Sequence, residues 1–570
     1  MKQALKQDWR FYLVAAFLLL LLVVLFVRML TLQVVDVDGS VSFLQGQGDA
    51  RTIRVEEIPA HRGMITDRNG QPLAVSTPVV SIWVNPQQLE LSDEQLQVLA
   101  GKLQLSAYDL REKLSRYRNK QFVYLERHMP PTEAEAILAL GIRGVYGQEE
   151  YRRYYPAGEV TSQLVGFTDI ENHGQEGFEY SFDEWLQGKP GSKQVVKDLY
   201  QRTIKNLKQI EEPQPGKDLA LSIDLRLQYM TYRALKAAVK HHRANGGSVV
   251  VLDVKTGEVL AMVNQPAFNP NDRSHMEINS VRNRAVTDMF EPGSTVKPIT
   301  VMAALESGKF GPHTPIDTRP GYVRVGNKTL LDPVNYGLID VTKVITKSSQ
   351  VGITKIALAL DEEALHEAFY RMGLGQFVGT GFPGESTGYL PNRTGKRPLE
   401  QAAFAFGAGL AVTALQLANA YGVFACDGLK KPVSLLRLDE PQAGDQVVRA
   451  DVAKNVVDML KTVTAKGGTA TRAQTDLYGV AGKTGTSHKV GKGGYEAGSY
   501  RSIFAGIAPA DNPRIAVVVV VDDPKGREYY GGEVAAPVFS EVAAGSLRLL
   551  NVTPDLLPEN GHQLLARGGM

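Results

Sequence analysis

The 570-residue sequence contains a single cysteine, Cys426. One cysteine excludes an intrachain disulfide and a Cys-rich metal site. Because Cys426 lies in the apolar run YGVFAC, we expect a buried and inert thiol. The histidines are scattered and show neither HExxH nor another metal-ligand spacing. The sequence therefore gives no indication of a metal site.

An excess of charge of either sign is also missing. Lys and Arg number 63 against 61 Asp and Glu, for a formal net charge of +2. This balance gives no electrostatic basis for binding nucleic acid. The hydrophobic content of 43% and the charged content of 22% are typical of a folded protein. The length exceeds that of one ordinary core, so we expect two or three domains.

Only one long hydrophobic run occurs. Residues 11–27 carry no charge, and the apolar character continues beyond Arg28. Because Arg28 can extend its charge to the membrane surface, we predict a transmembrane anchor over residues 11–32. The apolar run 515–521 is much shorter and ends at Asp522, which predicts a buried strand instead.

The charges on the two sides of this anchor differ in sign. Basic residues precede it and acidic residues follow it: Lys2, Lys6 and Arg10 on one side, Asp36 and Asp38 on the other. The positive-inside rule then predicts a cytoplasmic tail of residues 1–10 and an outward-facing remainder. A cleaved signal peptide is the alternative, but no A-x-A-like site follows the run, so we predict an uncleaved anchor.

A change of composition divides the rest of the chain. The segment EEPQPGKD, residues 211–218, combines two prolines, a glycine and charge, which is typical of a linker. We therefore predict a membrane-proximal module over 40–215 and a larger body over 220–550. The last residues, 551–570, predict a C-terminal tail.

The larger body shows strand patterns near both of its ends. GSVVVLDV and VLAMV flank the turn KTGE and predict a hairpin, and RSIFAGIAP and RIAVVVVVDD predict late strands. Helical patterns lie before, between and after them, ending with APVFSEVAAGSLRLL. This order predicts an α+β domain in which helices pack on an antiparallel sheet. FGAGLAVT contains GxG but no third glycine or preceding strand, so we predict a glycine turn there.

The segment EPGSTVKP places Ser294 three residues before Lys297, almost one helical turn. A serine becomes a nucleophile when a base takes its proton, and lysine is such a base only when its amine is neutral. Pro298 predicts that the helix begins close to Ser294. Ser-x-x-Lys alone also fits an ordinary polar helix face.

Two further segments carry polar residues at close spacing. KSSQVGITK contains Ser348 and Gln350, and AGKTGTSHK contains Lys483 followed by Thr484, Gly485 and Thr486. In an extended strand Thr484 and Thr486 share one face, and Lys483 and Gly485 share the other. We expect Gly485 to allow a substrate backbone to come close. His488 either faces substrate or lies on the surface.

The order STVK, SSQ and KTGT resembles the SxxK, SxN and KTG set of penicillin-binding proteins and serine β-lactamases. Segments 61–74, 152–167 and 174–188 resemble motifs of the non-catalytic module of class B penicillin-binding proteins. With its single anchor, the chain is similar to division-specific peptidoglycan D,D-transpeptidases of the FtsI type, or to a second, conditional copy of one. The resemblance implies a penicillin-binding/serine β-lactamase-like domain on an elongated pedestal of the dimerisation type.

The resemblance also implies roles for the motif residues. Ser294 would attack the carbonyl between two terminal D-alanines of a stem peptide, and Lys297 would accept its proton. The backbone N–H groups of Ser294 and Thr486 would hold the oxyanion. Ser348 would relay the proton to the leaving amine. No cofactor is implied.

The other motif residues would bind substrate. Thr484 and Thr486 would bind the donor carboxylate or that of a β-lactam, and Lys483 would add positive charge and lower the pKa of Lys297. Gln350 would bond the substrate backbone, although the family usually has the shorter Asn there.

The resemblance further implies a location and partners. The catalytic body would lie in the periplasm of a Gram-negative cell, held by the inner membrane. Partners would be peptidoglycan stem peptides or lipid-linked precursors, β-lactam antibiotics, a glycan polymerase of the FtsW type and other divisome proteins. The alternatives are a D-Ala carboxypeptidase or β-lactamase-type hydrolase, a β-lactam sensor, and a weakly active paralogue with a structural role.

Overall fold

The computed structural model describes residues 5–33, 53–197, 203–391, 397–491 and 494–556. The chain divides into two compact units. The first consists of Met1–His61, Pro78–Tyr151 and Gly188–Gly216, and the second of Arg62–Thr77, Arg152–Gln187 and Lys217–Met570. The chain thus enters the second unit three times, whereas the predicted modules 40–215 and 220–550 are each continuous in sequence.

The first unit begins with a long helix, Leu5–Gln33. Within it Trp9–Leu30 is long and apolar enough to cross a membrane, and none of these residues is buried. Length and composition thus fit the predicted anchor over 11–32.

The remainder of the first unit combines short helices with strands. Ile53–Ile58, Gly191–Lys197 and Thr203–Glu211 form an antiparallel three-stranded sheet in that order. The further elements are the helices Asp93–Lys102, Ala107–Arg116 and Pro131–Leu138, the strand Val123–Met129, and parts of the strands Pro72–Val84 and Val145–Tyr154. Ser92 and Gln95 form a capping box that fixes the start of the first of these helices. Leu99 and Leu110 are fully buried in a separate core.

A five-stranded antiparallel sheet is the centre of the second unit. Its strands are β1 (Gly246–Asp253), β2 (Val259–Gln265), β3 (Ala481–Gly491), β4 (Gly494–Ala508) and β5 (Ile515–Asp522), in the spatial order β2-β1-β5-β4-β3. β1 and β2 are buried at every position, as expected for strands covered on both faces.

Helices cover both faces of this sheet. The principal ones are α1 (Leu225–His241), α2 (Lys297–Glu306), α3 (Gln350–Leu358), α4 (Ala414–Ala425), α5 (Ala450–Thr464) and α6 (Gly531–Leu549). α1 and α6 pack on each other and on the sheet, and α4 and α5 form a second pair that also contacts the sheet. α2 packs against α3 and α5, which places its N-terminus beside β3.

Shorter elements complete the second unit. They are the helices Ser162–Val165, Gly177–Ser181, Asp183–Leu186, Ile278–Val281, Arg284–Thr287, Val341–Thr346, Glu362–Arg371 and Pro398–Ala405, and the strands Ile65–Thr66, Leu219–Ala220, Pro315–Asp317, Tyr322–Val325, Lys328–Leu331, Leu338–Asp340, Leu429–Lys430 and Asp445–Gln446.

The α+β class and the antiparallel sheet predicted from the sequence are confirmed. The strand predicted from the run 515–521 is β5, which pairs on both sides. The prediction for Cys426 is wrong, because its thiol is half-buried at the end of α4. Cys426 is the C-cap residue, one position beyond the buried last turn of α4, and the apolar run does not report where the helix ends.

A cluster of buried charges lies within the second unit. Glu179 has no exposed side-chain surface and bonds two arginines, with Arg62 Nε and Arg153 Nε each at 2.6 Å. Arg62 also reaches Asp183 at 2.6 Å. These bonds join segments 62–77 and 152–187 of the unit. Two guanidinium groups that have almost no access to water thus share the Glu179 carboxylate, and Asp183 supplies the second negative charge.

Replacing Glu179→Gln keeps the shape and leaves the two arginines without a shared counter-charge. We expect the free energy of unfolding of the second unit to fall by about 3 kcal/mol. Thermal unfolding of the full chain in detergent measures this change. Glu184→Gln, at an exposed residue of the same segment, is the matched control and should unfold like the parent. Equal melting temperatures for all three proteins would contradict the assignment.

Candidate active site

The turn that carries Ser294 differs slightly from the predicted helix. Gly293–Val296 form a 3₁₀ helix, and α2 begins at Lys297 with Pro298 as its second residue. A 3₁₀ turn has about three residues, so side chains three apart lie above one another. Ser294 is half-buried, whereas the Lys297 side chain is almost fully buried.

The Lys297 amine is held by oxygen atoms of the loop before α3. Its Nζ donates to the Ser348 carbonyl at 2.6 Å, and lies 3.3 Å from both the Ser348 hydroxyl and the Ser349 carbonyl. Burial lowers the pKa of Lys297 to about 7, and the carboxylate of Asp332 acts in the opposite direction. Much of the Lys297 population is therefore neutral near neutral pH.

Ser348 adopts a backbone conformation that is unfavourable for its residue type. Its φ is +55°, in the left-handed region, where such a residue costs on the order of 1–3 kcal/mol. This conformation lets the carbonyl and the hydroxyl of the same residue both reach Lys297. The strained backbone of Ser348 thus helps to hold the Lys297 amine in its position.

Asp332 was not singled out by the sequence analysis, because it lies in no motif. Its carboxylate accepts from the Ser349 hydroxyl at 2.5 Å and from the N–H groups of Gln350 at 2.5 Å and Val351 at 3.1 Å. These N–H groups are the first of α3, where a negative charge is favourable. Asp332 therefore fixes the start of α3, including the loop that holds Lys297.

The KTGT segment lies on β3, the last strand of the sheet. Thr484 and Thr486 both line the same groove as Ser294, as the alternation of a strand predicts. The Thr486 hydroxyl accepts from the Gly531 N–H at 3.0 Å, and the hydroxyls of Thr484 and Thr469 lie 3.2 Å apart.

Lys483 is fully buried and is not part of the lining of this groove. Its Nζ donates to the carbonyl and the hydroxyl of Thr484 at 3.2 and 3.3 Å. Burial, and then the positive charge of Lys297, lowers the pKa of Lys483 well below its ordinary value. The two lysines are therefore electrostatically coupled, and each disfavours the charge of the other.

Gly485 faces the nucleophile turn. A Cβ on this residue would lie 2.8 Å from the Pro292 carbonyl oxygen and 2.8 Å from the Thr295 methyl group. Protein atoms of the nucleophile turn thus occupy the space beside Gly485, and its closeness to a substrate backbone stays a prediction. Gly407 has a related role, because a Cβ there would lie 2.2 Å from the Gly293 carbonyl oxygen.

One groove with a volume of about 1120 Å³ collects most of the predicted residues. Its lining includes Ser294, Lys297, Ser348, Gln350, Thr484 and Thr486, together with His488. Lys483 and Gly485 lie outside the lining. His488 is exposed, and its ring lies 4.7 Å from that of Tyr500.

Several further polar residues of the groove were not found from the sequence: Glu291, Asp332, Thr469, Arg472, Tyr495 and Glu533. Tyr495 donates to Glu291 at 3.0 Å, and Glu291 accepts from the Gly409 N–H at 2.9 Å. Burial and the Glu291 carboxylate raise the pKa of Tyr495 to about 12. Glu291 lies only three residues before Ser294, and that nearness is the one sequence signal available.

Two family descriptions match the chain. Residues 247–544 match "Penicillin binding protein transpeptidase domain", and residues 57–221 match "Penicillin-binding Protein dimerisation domain". The chain belongs to the class B penicillin-binding proteins. The predicted family, fold class and enzyme class are thereby confirmed.

Relatives of this class B penicillin-binding protein cover almost its whole length. A Pseudomonas aeruginosa protein named probable peptidoglycan D,D-transpeptidase PbpC is 42% identical over 97% of this chain and 98% of that protein. Peptidoglycan D,D-transpeptidase FtsI of Escherichia coli is also 42% identical, over 96% of this chain and 93% of FtsI.

Solved structures give the same assignment. The transpeptidase domain of Burkholderia pseudomallei penicillin-binding protein 3 is 40% identical, with a TM-score of 0.55 over 59% of this chain and 98% of that one. Penicillin-binding protein 3 of Mycobacterium tuberculosis in complex with aztreonam is 27% identical, with a TM-score of 0.68 over 88% of this chain and 98% of that one.

Replacing Gly485→Ala forces a methyl group against Pro292 and Thr295. We expect the Ser294 turn to move and the rate of acylation by penicillin to fall by about 100-fold, the loss typical of a displacement near 1 Å. Gly526→Ala is the control, because its Cβ would meet only the Glu528 nitrogen at 3.8 Å. Acylation of both variants at the parental rate would contradict this reading of Gly485.

The lowered pKa of Lys297 predicts a pH dependence. A base acts only when unprotonated, so acylation should rise with pH, reach half of its maximum near pH 7, and fall about tenfold per pH unit below that. Second-order rate constants with a fluorescent penicillin measure this profile. A rate independent of pH below 7, or a midpoint near the ordinary lysine value of 10.5, would argue against Lys297 as the base.

Proposed function

We propose that this chain is a D,D-transpeptidase that cross-links peptidoglycan stem peptides through an acyl-enzyme on Ser294. The observation that carries the proposal is the buried Lys297 amine, with a pKa of about 7, one turn from a half-buried serine in an open groove. An ordinary lysine is protonated at neutral pH and accepts no proton.

In the proposed first step, Lys297 takes the proton of Ser294 as the hydroxyl attacks the carbonyl of the donor D-Ala-D-Ala bond. The C–N bond breaks, the terminal D-alanine leaves, and Ser348 passes the proton to the leaving amine. The contact between Lys297 and the Ser348 hydroxyl at 3.3 Å supports this relay. An amine of a second stem peptide then displaces Ser294 and forms the cross-link.

The proposed binding of the donor uses β3. Among the described strands β3 pairs only with β4, so its other edge leaves backbone groups available to an extended peptide. Thr484 and Thr486 would bind the donor carboxylate, and the N–H groups of Ser294 and Thr486 would hold the oxyanion. Lys483, beneath the threonines, would add positive charge when the carboxylate arrives.

Gln350 is proposed to bond the backbone of the donor through its side-chain amide. It lines the groove as the first residue of α3. Gly485 is proposed to act through the packing of the nucleophile turn, and its closeness to a substrate backbone stays part of the proposal. The catalytic group of the proposal is thus Ser294, Lys297 and Ser348, with Lys483 in support.

The setting of this reaction is part of the proposal. The basic residues before the apolar helix support a cytoplasmic N-terminus and an active site in the periplasm. We propose a pedestal over 40–215, a transpeptidase domain over 220–550 and a tail over 551–570. Action at the septum, with a glycan polymerase of the FtsW type and other divisome proteins, is supported by the likeness to FtsI.

Incubation of the full chain in detergent with a fluorescent penicillin tests the proposal. We expect stable covalent labelling of the parent and none of Ser294→Ala, because only that hydroxyl forms the ester. Thr300→Ala, at a buried hydroxyl in α2 that bonds the Ala405 carbonyl, is the control and should still label. Labelling of Ser294→Ala equal to the parent would refute the nucleophile.

The lifetime of the label separates the candidate reactions. An acyl-enzyme that persists for hours favours the transpeptidase, whereas rapid loss of label with release of hydrolysed penicillin favours a β-lactamase-type hydrolase. An unlabelled parent would favour a structural paralogue.

A further inference from the structure

We propose that Asp332 is a positioning residue for the general base: its carboxylate clamps the loop whose oxygen atoms hold the Lys297 amine. This inference rests on the proposed function. It assigns a role to a residue outside the three motifs.

The clamp is seen in the hydrogen bonds of Asp332. One carboxylate oxygen accepts from the N–H groups of Gln350 and Val351, and the other from the Ser349 hydroxyl. Asp332 itself is only 8% exposed and follows the strand Lys328–Leu331. A buried carboxylate with three donors is firmly fixed, because each bond to a charged acceptor is worth roughly 1.5–3 kcal/mol.

The clamped loop is the one that binds the amine. Ser348 and Ser349 supply both carbonyl oxygens near Lys297 Nζ, and Ser348 does so with a φ of +55°. Strained backbone persists only where neighbouring bonds hold it. The bonds of Asp332 to the next two residues along the chain, Gln350 and Val351, are such a restraint. Asp332 therefore fixes the amine through the loop, without touching it.

The charge of Asp332 acts on the same amine. One charged group raises the pKa of Lys297, the carboxylate of Asp332, which favours the ammonium. The charge of Lys297 in turn lowers the pKa of the buried Lys483. Tyr336 also faces Asp332, and its pKa is raised by burial and by that carboxylate. Other charged groups line the groove: Glu291, Lys347, Arg472, His488 and Glu533.

The direction in which the Asp332 charge shifts the pKa of Lys297 follows from this arrangement. A carboxylate near an amine stabilises the protonated form, so removing its charge makes the amine neutral at lower pH. Burial alone would carry the pKa of Lys297 further down than Asp332 allows. The acid limb of the acylation profile should therefore move to lower pH when Asp332 loses its charge, although the loop is weakened.

Two substitutions separate the clamp from the charge. Asp332→Asn has the same shape and removes the charge; its one oxygen still accepts from the α3 N–H groups, and its NH2 group donates to the Ser349 hydroxyl in place of accepting from it. Asp332→Glu keeps the charge and moves the oxygen atoms outward by one methylene. Asp340→Asn is the matched control, because Asp340 caps the neighbouring helix Val341–Thr346 through the Lys343 N–H at 2.7 Å.

The experiment measures second-order acylation of the full chain by a fluorescent penicillin from about pH 5 to about pH 9. We expect the midpoint of Asp332→Asn to fall by about one pH unit, the smaller end of the effect of a nearby charge. For Asp332→Glu we expect the parental midpoint and a plateau reduced at least about tenfold, because the clamp is displaced. Asp340→Asn should keep both the parental midpoint and the parental plateau.

Any other pattern overturns the proposal, including an unchanged or raised midpoint for Asp332→Asn. Thermal unfolding of each variant shows whether it folds. If Asp332→Asn does not fold, the acylation rates of Asp332→Glu test the proposal. A parental plateau for Asp332→Glu would then overturn the positioning role of Asp332. An unlabelled parent is a different result: it refutes the proposed function itself, before any variant is compared.

Discussion

The active site depends on keeping one lysine amine away from both water and direct contact with a carboxylate. Burial lowers the pKa of Lys297 from 10.5 to about 7, and an adjacent carboxylate would restore the ammonium. The oxygen atoms that hold Nζ belong to the carbonyls of Ser348 and Ser349 and the hydroxyl of Ser348, which carry no formal charge. Among the described residues no ion pair joins Lys297 to an acid. Asp332 influences the amine through the loop and from a distance, which is compatible with a neutral base.

How far the sequence predicts this site depends on the range of each contact. The proximity of Ser294 and Lys297 is local, because a helical turn brings residues three apart together, and the alternation of Thr484 and Thr486 is equally local. The meeting of the three motifs is a long-range property that only the resemblance to a family could predict. Asp332 could not be found in either way, because its partners lie 17 to 19 residues away and belong to no pattern.

The strands and helices of the fold could be predicted where hydrophobic patterns are regular. The surroundings of single residues could not, because they depend on the packing of distant segments. The hairpin of β1 and β2 and the apolar strand β5 follow from alternation and from an uninterrupted β-branched run. The environment of Gly485 depends on a turn almost two hundred residues earlier, since the atoms that approach it belong to Pro292 and Thr295. A glycine in a sequence marks a close approach without saying what approaches. The partial exposure of Cys426 was missed because an apolar run does not mark the residue at which its helix ends.

The position of Gln350 also depends on a contact with a residue that is distant in the sequence. Its backbone N–H is bound by Asp332 at 2.5 Å, so the position of its Cα is fixed by the start of α3. The additional methylene relative to the family's usual Asn therefore cannot be absorbed by a shift of the backbone without breaking that bond. The additional methylene gives the side-chain amide a longer reach from the same Cα, within the groove that Gln350 lines. The difference between Gln and Asn at this position is thus one of reach from a fixed anchor, and under the proposed function we expect its effect on the binding of substrate.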